Sequence, residues 1–365
     1  VKPSLVVTDM REGQVSLLSF EKDGLALETI AEPPFPAHAT RCDLDSDGAE
    51  DWLIADLGSF EPSDHNQGQL IWLKFDESGY LKNSTTILSK VGRVADASIA
   101  DLDGDGDQDI VVAIFGWRET GKLVWLEQVK SDANQIEFEE HLLDDRHGCS
   151  HICMVDIDRD GDDDIVALFS QEHEAIDVFL NDENTHFRKT NIYKSDDPSY
   201  GSSSISLTDF DSDGDVDVLY TNGDSFDSHM IKPYHSVQIL EQFQPLSFKH
   251  FSITELPGAY CVKPADIDGD GDIDLVASTM TLNFDHPFHS LIWMEQTTDK
   301  KFLRHNLETS LSQHASLALD DFDMDGDIDI AVGHFEPRPV QQANWISLWW
   351  NEGEREINKN DKVSR

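Results

Sequence analysis

The chain has 365 residues, with 72 acidic against 27 basic side chains and a formal charge of −45. A surface that negative repels nucleic-acid phosphate and anionic membrane, so neither is an expected partner, and no run of 18 apolar residues offers a membrane span. The four cysteines (Cys42, Cys149, Cys153, Cys261) are too few and too scattered for a disulfide framework or a zinc knuckle, and they read as small core thiols.

The first 30 residues hold three short apolar runs, at Leu5–Thr8, Val15–Leu18 and Leu25–Ile30. From Asp43 onward one nine-residue pattern is written six times, starting at Asp43, Asp101, Asp156, Asp209, Asp266 and Asp321, at intervals of 53 to 58 residues. A period of that length signals a repeat architecture. Every copy has Asp at positions one, three, five and nine and Gly at six. The carboxylates are Asp43, Asp45, Asp47 and Asp51; Asp101, Asp103, Asp105 and Asp109; Asp156, Asp158, Asp160 and Asp164; Asp209, Asp211, Asp213 and Asp217; Asp266, Asp268, Asp270 and Asp274; and Asp321, Asp323, Asp325 and Asp329. Alternate carboxylates converge when a loop curls around a hard cation, and Gly permits the sharp turn. All-oxygen ligation suits Ca²⁺ better than Zn²⁺. The plain alternative for a lone copy is an acidic solvated turn; six copies in one chain predict about six Ca²⁺.

Each motif is followed by a short β-branched run such as Ile110–Ile114 or Ile165–Leu168. Next comes a run around Trp or Phe, such as Leu70–Leu73, Leu123–Leu126 or Leu291–Met294. A more polar segment follows, as at Phe138–Leu142 or Phe302–Leu307, and a fourth leads into the next motif, as at Ser150–Val155. No stretch has helical periodicity. Four short strands per repeat predict an all-β fold, a seven-bladed β-propeller of four-stranded antiparallel blades. Six full repeats join a first blade (residues 1–31) that lacks its innermost strand. A single domain over 1–359 is expected, with 354–358 as a last outer strand and 360–365 as a tail.

With its six Asp-x-Asp-x-Asp-Gly-x-x-Asp loops on β-blades, the chain resembles the FG-GAP (VCBS) repeat propellers of the integrin-α type over about 300 residues. The resemblance implies seven blades with Ca²⁺ in the loops joining the first and second strands. It implies no one activity, since adhesive, lectin-like and enzymatic members share the fold. Loops of this kind, where weak, draw on millimolar calcium outside the cytoplasm. A secreted, periplasmic or cell-surface location is therefore expected from the metal, no targeting signal being visible at Val1.

In antiparallel blades the calcium loops share one face, and the loops between second and third strands and between blades share the other. Those opposite loops hold 11 of the 15 histidines, namely His38, His65, His147, His151, His173, His229, His235, His286, His289, His314 and His334. For any one of them a solvated surface residue is the plainer reading. His141, His186, His250 and His305 fall in or beside outer strands and read as surface, while Trp72, Trp125, Trp293 and Trp349 read as core fillers. The candidate ligand-binding residues are Trp117, Arg118, His147, His173, Lys232, His235, Tyr260, His289 and His334. Two functions compete. One is a binding propeller for carbohydrate or a protein loop. The other is a sugar lyase or dehydratase using His38, His151, His314, Glu172, Tyr234 and Arg93, with an additional transition metal on the His-rich face. In that second reading His38, His151 and His314 line the central channel. A purely structural or adhesive module of a larger secreted protein is the third reading.

Overall fold

A computed structural model describes residues 4–21, 24–132, 135–182, 185–226, 230–281, 287–297, 301–311, 313–335 and 345–353. Its strands form seven separate antiparallel sheets in chain order. The first holds β1 (Ser4–Asp9), β2 (Gln14–Glu21) and β3 (Gly24–Ala31), the three runs expected of a blade without its innermost strand. The second holds β4 (Pro36–Cys42), β5 (Asp51–Asp56), β6 (Gly68–Phe75) and β7 (Leu81–Val91); the third holds β8 (Val94–Ala100), β9 (Asp109–Ile114), β10 (Lys122–Asp132) and β11 (Gln135–Asp144). The fourth comprises β12 (Cys149–Val155), β13 (Asp164–Phe169), β14 (Ala175–Asp182) and β15 (His186–Lys194); the fifth β16 (Ser204–Thr208), β17 (Asp217–Thr221), β18 (Ser236–Gln244) and β19 (Ser247–Glu255). The sixth is β20 (Ala259–Ala265), β21 (Asp274–Thr279), β22 (Phe288–Thr297) and β23 (Lys301–Ser310), and the seventh β24 (His314–Asp320), β25 (Asp329–His334) and β26 (Ile346–Trp349). The outer strand expected at 354–358, the tail, His229 and His286 lie outside the described residues.

The gradient of polarity follows position in the blade. Second strands such as β9, β13 and β21 are buried at every residue, whereas β7 at the rim is mostly exposed. Apolar side chains fill the space between blades. Leu70 and Trp72 of the second blade, for example, share a core with Val94, Ile110, Val112 and Leu126 of the third. Position two of the first five acidic loops (Leu44, Leu102, Ile157, Phe210 and Ile267) joins these cores, and in three loops its carbonyl is pinned by the next blade. Asn181 Nδ2 donates to Leu102 O (2.8 Å), Gln242 Nε2 to Ile157 O (3.3 Å) and Asn351 Nδ2 to Ile267 O (2.7 Å). The ring closes through aromatic packing, with Phe20 of β2 stacked on Phe322 (5.1 Å between centroids) and edge-on to Trp350 (5.9 Å). Cys42, Cys149 and Cys261 are buried, Cys153 is half-buried, and none is in a disulfide. Among the described residues no helix is long and apolar enough to cross a membrane.

Candidate functional site

The six acidic loops share one construction. The position-six glycines have φ of +83 to +103°, a region closed to most side chains, and each donates its N–H to the position-one carboxylate at 2.9–3.1 Å. The position-nine carboxylates are buried. One oxygen of each accepts an N–H from the third strand of the same blade or, in the last, from just past it, the donors being Phe75, Gln128, Asn181, Gln242, Gln296 and Asn351 at 2.7–2.8 Å. In five loops the other oxygen accepts the N–H of position two, at 3.0–3.2 Å. In the first loop the Trp72 indole donates there instead (2.8 Å). Position nine thus closes the turn, and in the third loop it also lies with Asp156 and Asp158 in one group of oxygens within 4.8 Å of each other. In the first, second and fourth loops the comparable group is formed by positions one, three and five. Burial pushes Asp109 and Asp164 up to about 6 and Asp217 to about 7. The first loop differs from the others. The Lys74 ammonium enters it and pairs with Asp45 and, at 2.9 Å, with Asp47.

On the opposite face the residues singled out by sequence separate into four places. The first is the channel wall. In five blades a bulge follows the first residue of the innermost strand, between Pro36 and His38, Val94 and Asp96, Cys149 and His151, Ala259 and Cys261, and His314 and Ser316. It puts His38, Asp96 and His151 at equivalent positions on neighbouring strands. His38 Nδ1 lies 2.6 Å from Asp96, and its ring centroid lies 6.4 Å from that of His151. Lys263 of the sixth blade acts on both histidines, so they face a common axis. His38 is 49% exposed and yet feels burial, as a channel-lining group does. Burial pulls its pKa down, but the charge and hydrogen bond of Asp96 outweigh that and leave it raised. Burial drops His151 to about 4.

His314 does not join them. It precedes the bulge, is 0% exposed, and packs edge-on against His334 (4.7 Å) with Nε2 3.3 Å from Glu308. The extra residue of the bulge shifts the alternation, so Ser316 takes the place equivalent to His38. His334 is half-buried against Ser347 (2.7 Å).

The second place surrounds Trp117. Arg93 is buried, donates to Gly116 O (2.8 Å) and lies under Phe115 and Trp117, while Arg118 covers Trp117 at 5.6 Å. Arg93 therefore anchors this loop. Asp64, from the neighbouring blade's loop, accepts the N–H groups of Arg118, Glu119 and Thr120 at 2.9–3.1 Å. Those donors hold its carboxyl well below the usual range. Sequence reasoning missed this clasp, because its partners lie 54 to 56 residues away.

The third place is a tyrosine cluster on the fifth blade. Tyr234 stacks on Tyr200 (5.1 Å, 15°), and Tyr200 stacks on Tyr220. The Tyr234 hydroxyl donates to Asp197 (2.7 Å), and Lys232 lies over the Tyr234 ring and reaches Ser199. His235 belongs to the wall behind them. It is 1% exposed and its Nδ1 accepts the Gly258 N–H (3.3 Å), so it meets no ligand. Tyr260 is the half-buried bulge residue of β20. His289 is exposed beside Thr309 (3.1 Å).

The fourth place joins His147, Glu172 and His173, whose donor atoms all lie within 4.8 Å of one another. Beside it Glu174, also missed by sequence, is buried, accepts from Ser202 and is pushed by burial to about 7. Of the rim histidines read as surface, His141 and His305 instead stack on Trp125 (4.6 Å) and Trp293 (4.4 Å).

Known proteins match at two levels. A family model described as FG-GAP-like repeat matches residues 43–112 and 156–220. With seven blades in the structure, the chain is a β-propeller that carries FG-GAP-like repeats over those residues. No curated protein matches the sequence. Two solved structures of BBS1N in complex with ARL6DN, one soaked with lead and one with mercury, superpose with a TM-score of 0.51. They are 10% and 8% identical, and the match covers 91% of this chain and 88% of theirs, a likeness of fold alone.

Proposed function

We propose that the protein is a calcium-stabilised binding propeller that carries an extended ligand, a carbohydrate chain in the first instance, on the face opposite its acidic loops. Calcium is supported by motif carboxylate oxygens closed off from solvent without a hydrogen-bond partner, Oδ1 of Asp45, Asp158 and Asp266. An oxygen left so wants a cation. The Asp residues at positions one, three, five and nine would hold the ion, which supplies charge neutralisation where like charges crowd. Calcium of that class also supports the secreted or cell-surface location.

The observation that carries the ligand reading is the tyrosine cluster. Stacked Tyr200 and Tyr234 rings ringed by Asp197, Ser199 and Lys232 combine an apolar platform with hydrogen-bonding groups, as sugar recognition requires. Relief here is shallow. The recess lined by Asp224, Ser225, Phe226, Met280 and Thr281 is an open dip with no enclosed void, whereas enclosed small-molecule sites begin at ~300 Å³. A ligand laid across the surface fits better than one swallowed by it. A protein segment has the same shape, and the structural neighbours do hold a protein partner. Binding of the calcium-loaded protein to a glycan array, lost in Tyr234→Ala with unchanged melting, is the expected result. A blank array, or binding that persists in Tyr234→Ala, overturns the carbohydrate reading.

The channel favours a second reading. His38 and His151 have pKa values pushed apart at one mouth, the arrangement of an acid and a base. Neutral His151 would take the proton next to a uronate carboxylate, and protonated His38 would give one to the departing sugar oxygen. Appearance of unsaturated product from uronate polymers, abolished in His151→Ala, is the check; no turnover across such polymers removes it.

A further inference from the structure

We infer that His147, Glu172 and His173 form a transition-metal site, of the class that takes Zn²⁺, separate from the acidic loops and from the channel. Three loops build it. His147 sits in the connection between β11 and β12, and Glu172 and His173 sit on the 3-10 turn Gln171–His173 between β13 and β14. The third, residues 115–121, supports them: Gly121 lies so close that a Cβ there would stand 2.3 Å from the His147 Cα.

His147 Nε2 lies 3.3 Å from Glu172 Oε1, and the two imidazole centroids are 4.7 Å apart. Nε2 of His173 is shut off from solvent with no hydrogen-bond partner, so the hydrogen bonds of the cluster do not account for it. The backbone is held at positive φ at two non-glycine residues, Gln171 (φ +54°), which opens the turn, and Glu174 (φ +44°), which follows it. Strain of that kind persists where surrounding structure imposes a geometry, and it concentrates at functional sites. Arg146 fixes the neighbouring loop through Asp144 (2.9 Å) and Asp177, so its charge is already neutralised. Two imidazoles and one carboxylate are a borderline donor set with a position left open to solvent, and this set selects Zn²⁺ over Ca²⁺. The open position would accept a carboxylate or imidazole from a bound molecule.

The test uses the full chain, stripped with chelator and returned to excess Ca²⁺ so that the acidic loops are satisfied. Zn²⁺ is titrated calorimetrically, and Co²⁺ is followed by its visible absorption. One Zn²⁺ per chain that Ca²⁺ does not displace is expected, with Co²⁺ bands typical of nitrogen donors. His147→Ala and His173→Ala should each weaken binding by more than the roughly 10–100-fold that loss of an outer-shell residue brings. Glu172 is 67% exposed, so Glu172→Gln should weaken binding without lowering the melting temperature. His186→Ala on β15 should titrate as wild type. Absence of Ca²⁺-resistant Zn²⁺ overturns the assignment, as does a site that survives His173→Ala and Glu172→Gln or that follows His38→Ala instead. Failure of the calcium reading would show separately, as a melting curve indifferent to chelator.

Discussion

Position four of the acidic loop is left-handed in all six copies, and only two of the six residues there are glycine. Ser46, Arg159, Ser212 and Met324 hold φ of +54 to +65°, beside Gly104 and Gly269 at +73 and +75°. A side chain in that region costs about 1–2 kcal/mol, whereas glycine costs roughly 0.5–1 kcal/mol through its freer unfolded chain. Met324 is exposed and packs on little, so Met324→Gly should stabilise the protein by about 0.5–1 kcal/mol in urea unfolding. A loss of stability would mean that the turn is not strained there. Glycine at position six was legible because it never varies, while the strain at position four was hidden by the variety of its residues. His235 carries a second prediction. Burial drops its pKa to about 4 from an unfolded value near 6.5. The unfolded chain binds the extra proton between those values, so stability is full above about pH 6.5 and is lost as pH falls towards 4, by at most ~3 kcal/mol for this group. His235→Asn, which keeps an acceptor for the Gly258 N–H, should show a smaller difference between urea unfolding at pH 4 and pH 7 than wild type, and an equal one would refute the assignment.

Strand runs and loop order were readable from the sequence because a blade repeats one burial gradient from axis to rim. Side-chain direction at the channel was not readable. A bulge inserts one residue without any composition signal, so it brings His38 and His151 to the axis and sends His314 into the seventh blade. The His147, Glu172 and His173 group was hidden for another reason. Its members fall in loops on either side of β12 and β13, and only the folded blade brings those loops together. The second blade shows how one substitution within an otherwise constant element changes its chemistry. Its third strand carries Lys74 where the third, fifth and sixth blades carry Glu127, Glu241 and Glu295. Of these three, Glu127 and Glu295 are taken up by His141 and His305 (2.6 Å each), while Lys74 turns into the loop between Asp45 and Asp47. An ammonium there competes with a divalent cation for the same oxygens. Lys74→Met should therefore raise the calcium stoichiometry measured by equilibrium dialysis by one, or tighten the weakest site. An unchanged isotherm would show that the lysine swings aside on binding.

At the scale of the whole molecule the decisive quantity is charge. The acidic loops gather 24 of the 72 acidic side chains as motif carboxylates on one face of a ring whose total charge is −45. Self-repulsion of this size opposes the compact state, and the hydrogen bonds within each loop organise the carboxylates without removing their charge. Bound Ca²⁺ would do both, and because it binds the native ring and not the unfolded chain, it would stabilise by about 2.7 kcal/mol per site at a hundredfold excess over Kd. Several such sites imply that chelation lowers the melting temperature by on the order of 10 °C or more. Salt separates the two contributions. At about 1 M NaCl the Debye length falls to ~3 Å, which screens exposed carboxylates but does not replace a coordinated ion. The chelated protein should regain part of its lost melting temperature in 1 M NaCl, while the calcium-loaded protein should change little. If EDTA leaves the curve where it was, the loops hold no structural calcium and their hydrogen bonds alone carry the turns. If NaCl restores the whole loss, repulsion was the entire effect and coordination added nothing.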